Sequence, residues 1–404
     1  MTIEPHSVVS QHLAEWFEEE TGVRVKAHPV PYADITREAV TDVVSGAAKY
    51  DVVEYWYPML GSLVKKGVLV RLGDWWDRHS EQLQAGDLIP AFRDTFCLSD
   101  GERFGVPYDG DMHLLFYNVA VLERHGLRPP ETWDDYLQVA RTITQAEAGA
   151  DVYGCGIMAI KVPLILIGTY LNRLACFGGS FFKEGRPTIN SPLAVASLEH
   201  LVAELPYAVP VPTRIGFEEM LGLWLSGKAA MVEFWADLGQ ITDNAAQSHI
   251  PHQWGVAPLP KGPGMEGRAA APLNAGWGLG ASASARDRDL ALEFLRFGLR
   301  PDIRLRICTM AGGLDPVRWS TYDAPEYRHH VGAALADAAK AAVLSAAVSW
   351  PTHTLWPVLQ ALLNENLFLA LVHAKTPQQA LDDTQRGWQV TLAASALSVS
   401  GRVP

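Results

Sequence analysis

Apolar residues fall into short runs whose spacing alternates between that of a helix and that of a buried strand. Over residues 12–20, Leu13, Trp16 and Phe17 share one helical face and Glu15, Glu18 and Glu19 another, with Gly22 placed to cap the C-terminus. A strand is expected over 23–27, a second helix over 35–45 ending near Gly46, and a bounded, β-rich run over 51–57 reads as a buried parallel strand. Residues 60–66 return to helical spacing and stop at Gly67. This β-α-β-α order with glycine-marked connections predicts an α/β fold of mostly parallel strands, whose ligands lie beyond the strand carboxyl ends.

Further along, Asp100-Gly101 signals a turn, and the polar stretch 108–111 reads as a crossing between two lobes. Strands are expected over 114–117, 229–234 and 254–260, with Thr132 as the N-cap of a helix. From Asp287 onward the pattern is helical, over 289–297, 301–310, 329–344 and 354–372, with no internal repeat and no low-complexity linker.

At 404 residues the chain exceeds what one core usually fills, so two domains are expected. A formal charge of −12 without a Lys/Arg cluster argues against nucleic acid and anionic lipid as partners. The hydrophobic runs fall short of the roughly 20 residues a spanning helix needs. Cys97, Cys155, Cys176 and Cys308 form no CxxC pair, which argues against zinc and leaves structural thiols and disulfides both open. Met1 is followed at once by Thr2, Ile3 and Glu4, without the basic and apolar regions of an export signal.

The minimal motifs of a serine hydrolase, a zinc protease and a P-loop NTPase are missing, and Gly276-Trp277-Gly278-Leu279-Gly280 departs from GxGxxG, so neither enzyme activity nor a cofactor is expected. Asp109 and Asp111 invite comparison with a glycosidase pair. Two residues apart on a strand, however, they point the same way and cannot flank a bond from opposite sides.

Several segments, in order, carry a family resemblance. They are Phe17-Glu18-Glu19-Glu20-Thr21-Gly22-Val23-Arg24-Val25, Tyr50-Asp51-Val52-Val53, Gly67-Val68-Leu69-Val70-Arg71-Leu72, the GERFGVP stretch 101–107, and Tyr117-Asn118. Gly126-Leu127-Arg128-Pro129-Pro130-Glu131-Thr132-Trp133-Asp134-Asp135, Gly178-Gly179, Ile189-Asn190-Ser191, 217–231, 255–260, 312–318 and 376–381 continue the series. Together they resemble family 1 of the extracellular solute-binding proteins, which includes the maltose- and multiple-sugar-binding proteins of bacterial ABC importers. The resemblance implies a two-lobed periplasmic-binding-protein fold of type II, with one lobe of 1–109 plus 262–312, another of 110–261 plus 313–404, and three crossings. It implies a monomer that is periplasmic or lipid-anchored outside the cell, its signal segment removed. It also implies a carbohydrate-like solute held between the lobes by hinge closure, and the permease subunits of an importer as partners.

A sugar needs directional partners for its hydroxyls and aromatic faces for its C–H patches. In the first lobe the expected ligand residues are Glu4, His6 and Ser7 after the first strand, and Tyr55, Trp56 and Tyr57 after the second. Asp109, Asp111 and His113 follow at the crossing, Asp111 being the leading polar candidate. Tyr170 and Asn172 lie in a later helix, and Trp235, the leading aromatic candidate, follows the Ala-Ala-Met strand. Gly276 and Trp277 sit on a returning strand, Arg318 follows the third crossing, and Trp350 and Trp356 bracket a loop. Beside each stands a plainer reading: a packed Trp, a turn Asp, a structural His. A neutral sugar or glycoside is the first expectation. Arg173 and Arg318 keep an anionic glycoside or glycerol-phosphate derivative open, and a polyol or a ligand sensor for a receptor also remain open.

Overall fold

The computed structural model describes residues 1–268 and 271–400. Two compact units account for them: one comprises Met1–Asp111, Ala275–Asp337 and Thr352–Trp356, the other Met112–Asn274, Ala338–Pro351 and the chain from Pro357 on.

Two long segments fall in the opposite unit from the one expected, as do Gly110 and Asp111 at the first passage. Residues 262–274 belong to the second, because Gly262 N–H donates to the Cys176 carbonyl and Ala271–Leu273 pairs with Ala346–Ser349. Residues 313–337 belong to the first, where Ile89 N–H donates to the Val317 carbonyl and the Arg318 guanidinium donates to the Leu83 and Leu299 carbonyls. The excursion Thr352–Trp356 adds two passages to the three expected.

In the first unit, Trp277–Ala281 lies between Val52–Trp56 and Val106–Asp109 and runs antiparallel to both. In the second, His113–Asn118 lies between Met231–Trp235 and Trp254–Ala257, again antiparallel to both. The expectation of mostly parallel sheets therefore fails at the centre of each. The central neighbours are joined by returns from distant chain, without the helical crossover that makes adjacent strands parallel. Parallel pairing occurs farther out, between Thr2–Ile3 and Pro29–Val30 and at the single bridges Tyr153 to Ala229 and Gly156 to Val232.

Helix positions follow the sequence pattern more closely. Ser7–Thr21 ends at Gly22, whose φ of 71° lets its N–H return to the Glu18 carbonyl; a side chain at that φ would be strained. Its buried face carries Leu13 and Phe17, the latter edge-on to Phe294 and Phe297. Ile35–Ser45 is helical as expected, and Thr132 and Asp135 form a reciprocal capping box on Trp133–Ala146. Residues 23–27 form no strand. Thr2 N–H reaches only the His28 carbonyl, and Val23, Val25 and Ala27 instead border a groove of about 500 Å³ lined also by Phe17, Tyr50 and Leu279.

All four cysteines are buried free thiols. Burial pushes Cys97, Cys176 and Cys308 up to about 12 and Cys155 well above its usual range. The native protein is therefore expected to leave all four unlabelled by Ellman's reagent at pH 8, with four equivalents reacting after unfolding; prompt labelling of a native thiol would contradict this burial.

Candidate functional site

The strand Val52–Trp56 reads Val-Val-Glu-Tyr-Trp, and the two-residue period of a strand puts Glu54 and Trp56 on one face. Glu54 is wholly buried and accepts from Thr2 Oγ1 at 2.6 Å and Ile3 N–H at 3.1 Å. His6 Nδ1 lies 2.7 Å from Glu54 Oε1, and its Nε2 lies 3.4 Å from Asp109 Oδ2. Burial alone would lower the imidazole pKa, but the Glu54 charge and the hydrogen bonds to Asp109 and Glu54 outweigh it and raise the value to about 10. His6 is therefore an imidazolium between two carboxylates. Trp56 stands opposite Trp277 across the ladder, Trp277 stands opposite Asp109 on its other side, and the His6 ring meets Trp277 edge-on at 5.7 Å. The antiparallel return thus gathers Trp56, Trp277, Asp109 and His6 at one strand end.

The second unit repeats the arrangement with different partners. Met231–Trp235 reads Met-Val-Glu-Phe-Trp, again with Glu233 and Trp235 on one face. Arg173, fully buried, donates to Glu233 through Nη1 at 2.9 Å and Nη2 at 2.6 Å, to Glu204 through Nε at 2.8 Å, and through Nη2 to Glu204 Oε2. His200 joins Glu204 to the Trp133 carbonyl, and the guanidinium lies over the Trp133 ring at 4.3 Å. Burial disfavours the Arg173 charge, yet the two carboxylates hold it ionised, well above its usual range. Trp235 stands opposite His113, their rings edge-on at 4.4 Å, and Asn172 donates to both Glu233 and His113.

The remaining expected residues divide by what they touch. Tyr55 donates to the Phe96 carbonyl, Tyr57 stacks on Phe96 at 4.4 Å and Tyr170 donates to the Ala194 carbonyl, all three within core. Arg318 is fully buried and holds the carbonyls of Leu83, Leu299 and Gln84 and the Asp87 carboxylate. Burial lowers its pKa to about 10. With Arg173 in its carboxylate array, neither guanidinium presents a fork to an anionic ligand. Trp350 donates to the Asn274 carbonyl, and Trp356 is wholly buried at the start of Trp356–Leu371. Glu4 is exposed, Ser7 donates to its carbonyl, and Asp111 is half-buried at the end of the first unit's opening segment. Gly276 has a φ of 133°, and a Cβ there would meet the Phe96 ring at 2.1 Å. The groove beside 23–27 is lined by none of the expected ligand residues.

Sequence reasoning missed Glu54, Glu204, Glu233 and Asn274. The first and third carry a readable signal, a lone carboxylate in mid-strand two residues before a Trp, present in both units.

Two outcomes test these arrays. Because the His6 pKa is raised from 6.5 to about 10, its contribution to stability is complete below pH 6.5 and is lost as pH rises through about 10. The urea midpoint of the native protein is therefore expected to fall between pH 7 and 10 more steeply than that of His6→Gln; parallel slopes would contradict it. Arg173→Met leaves two buried carboxylates without their cation and is expected to lower unfolding free energy by about 3–5 kcal/mol in denaturant titrations.

The sequence model of the bacterial extracellular solute-binding proteins matches residues 5–304. A probable amino-acid ABC transporter periplasmic-binding protein of Sinorhizobium fredii is 24% identical over 384 residues, covering 91% of this chain and 83% of its own. The mannitol-binding protein of Pseudomonas aeruginosa is 28% identical over 52% of this chain and 47% of its own. Among solved structures, an ABC transporter solute-binding protein of Agrobacterium radiobacter in complex with ribitol superposes with a TM-score of 0.85 over 96% of both chains at 22% identity. The family match spans well over half of the sequence, and the chain belongs to the bacterial extracellular solute-binding protein family.

Proposed function

We propose that the protein captures a neutral polyhydroxy solute, a sugar or sugar alcohol, for an ABC importer and catalyses no reaction on it. One observation carries this reading: each unit ends a strand pair in a Trp beside buried polar groups, Trp56 and Trp277 with Asp109 in one, Trp235 with His113 in the other. An indole face suits the C–H surface of a sugar or polyol, and carboxylates suit its hydroxyls. The names of the mannitol-binding relative and the ribitol complex agree with that chemistry. The amino-acid relative points elsewhere, but a free amino acid needs a cation for its carboxylate, and Arg173 and Arg318 are already engaged.

In this reading Trp235 and Asp111 lead the ligand contacts, with Trp56, Trp277, Asp109 and His113 supporting them and Glu4, Ser7 and Gly276 at the margin. Tyr55, Tyr57, Tyr170, Trp350, Trp356 and Arg318 serve packing, and His6 and Asn172 position their neighbours. The two units correspond to the two lobes. Solute favours their closed arrangement only by binding it more tightly, and that arrangement is what the permease reads. The protein works as a monomer outside the cytoplasm, periplasmic or lipid-anchored.

A thermal-shift panel of D-mannitol, ribitol, maltose, glycerol 3-phosphate and L-amino acids tests the proposal. A true ligand at 100 times its Kd adds about 2.7 kcal/mol of apparent stability. A neutral polyol or sugar is expected to raise the transition, with Trp235→Ala and Asp111→Ala each losing about tenfold or more in calorimetric affinity. Stabilisation by amino acids alone, or turnover of any panel member, would overturn it.

A further inference from the structure

Resting on that reading, we propose that His113 is a specificity-determining residue, a neutral imidazole locked as the Nε2–H tautomer and donating to an acceptor oxygen of the solute.

The tautomer follows from the surrounding atoms. His113 Nδ1 lies 2.9 Å from Asn172 Nδ2 and 2.9 Å from Asn274 Nδ2. Asn172 Nδ2 is also 2.7 Å from Glu233 Oε2, and only an amide N–H can face a carboxylate there. Asn274 Nδ2 faces two acceptors as well, the Gly168 carbonyl at 3.0 Å and Asn172 Oδ1 at 2.5 Å. Both groups facing Nδ1 are therefore donors, so Nδ1 is the bare acceptor and the proton resides on Nε2. Burial lowers the imidazole pKa to about 3, so the ring stays neutral at physiological pH.

Nε2 is buried and has no hydrogen-bond partner among the described residues. A buried donor left without an acceptor is destabilising, and the ring around it is held in place: the Asn172 amide donates to its Nδ1 edge and Trp235 packs edge-on against it. The first unit shows the contrast. In the equivalent ladder position opposite its Trp56 stands Trp277, another indole, whereas opposite Trp235 stands an imidazole with a directed donor. Arg173 holds Glu233, Glu233 holds Asn172, and Asn172 aims His113, so the buried charge array serves as its positioning device.

A donor of this kind discriminates by oxygen: a solute with an acceptor at that place binds, and its deoxy analogue loses about 10- to 100-fold. The test uses the full chain, D-mannitol and a set of monodeoxy mannitols in calorimetry, with ribitol and maltose as further probes, and ¹⁵N-histidine NMR. Native protein is expected to disfavour at least one deoxy analogue by tenfold or more. His113→Phe, which keeps a ring without the donor, is expected to lose that preference, and His113→Gln, which returns an N–H near the Nε2 position, to restore part of it. A His113→Phe variant that retains the preference would overturn the proposal. So would a ¹⁵N spectrum showing the His113 proton on Nδ1, which judges the donor without any ligand. If none of the three probes binds native protein, the solute class has failed, while the tautomer spectrum still decides the assignment of His113.

Discussion

A carboxylate buried in the middle of an apolar strand is costly unless a cation meets it, and that constraint organises both units. Glu54 and Glu233 are each buried in such a strand, and each is met by a cation brought from a helical segment. In the first unit it is His6, on the turn entering Ser7–Thr21; in the second it is Arg173, within Pro163–Cys176. Each pairing fastens that segment to its strand at a fixed distance from the strand end. Two residues on, the same face places Trp56 or Trp235 at the strand end. The buried charge pair and the strand-end indole are thus set by the same short sequence, used twice.

This arrangement also engages the residues with the strongest chemical signature in the sequence. His6, Arg173 and Arg318 are the cations a reader would first assign to a ligand, and each is engaged by protein carboxylates or carbonyls. With them engaged, the proposed solute contacts fall in each unit to the groups at its strand ends: Trp56, Trp277 and Asp109 in the first, Trp235 and His113 in the second. That chemistry suits an uncharged, hydroxyl-bearing solute.

How much of this was legible follows from what side-chain patterns encode. Helical period and capping chemistry are local, so the Ile35–Ser45 helix, the Gly22 cap and the Thr132 N-cap were readable. The bounded apolar runs around Val53 and Val232 marked strands correctly but carried no information on direction. A strand buried on both faces looks the same whether its neighbour is parallel or antiparallel, and that neighbour, Trp277–Ala281 for Val52–Trp56, lies far away in sequence. Residues 23–27 had a strand-like composition but lack a ladder partner. Trp235 and the Asp109 region of the proposed site stand out in the sequence as residue types. The pairing of His6 and the aiming of His113 depend on contacts between residues up to 161 positions apart, which no local pattern records.

A crystal structure with D-mannitol or another stabilising polyol bound would test the account most directly. The account predicts an uncharged carbon chain lying along the Trp235 indole, with one oxygen about 3 Å from His113 Nε2. A ligand lodged instead in the groove beside Phe17 and Tyr50, or one whose carboxylate or phosphate draws Arg173 or Arg318 out of its present contacts, would contradict it.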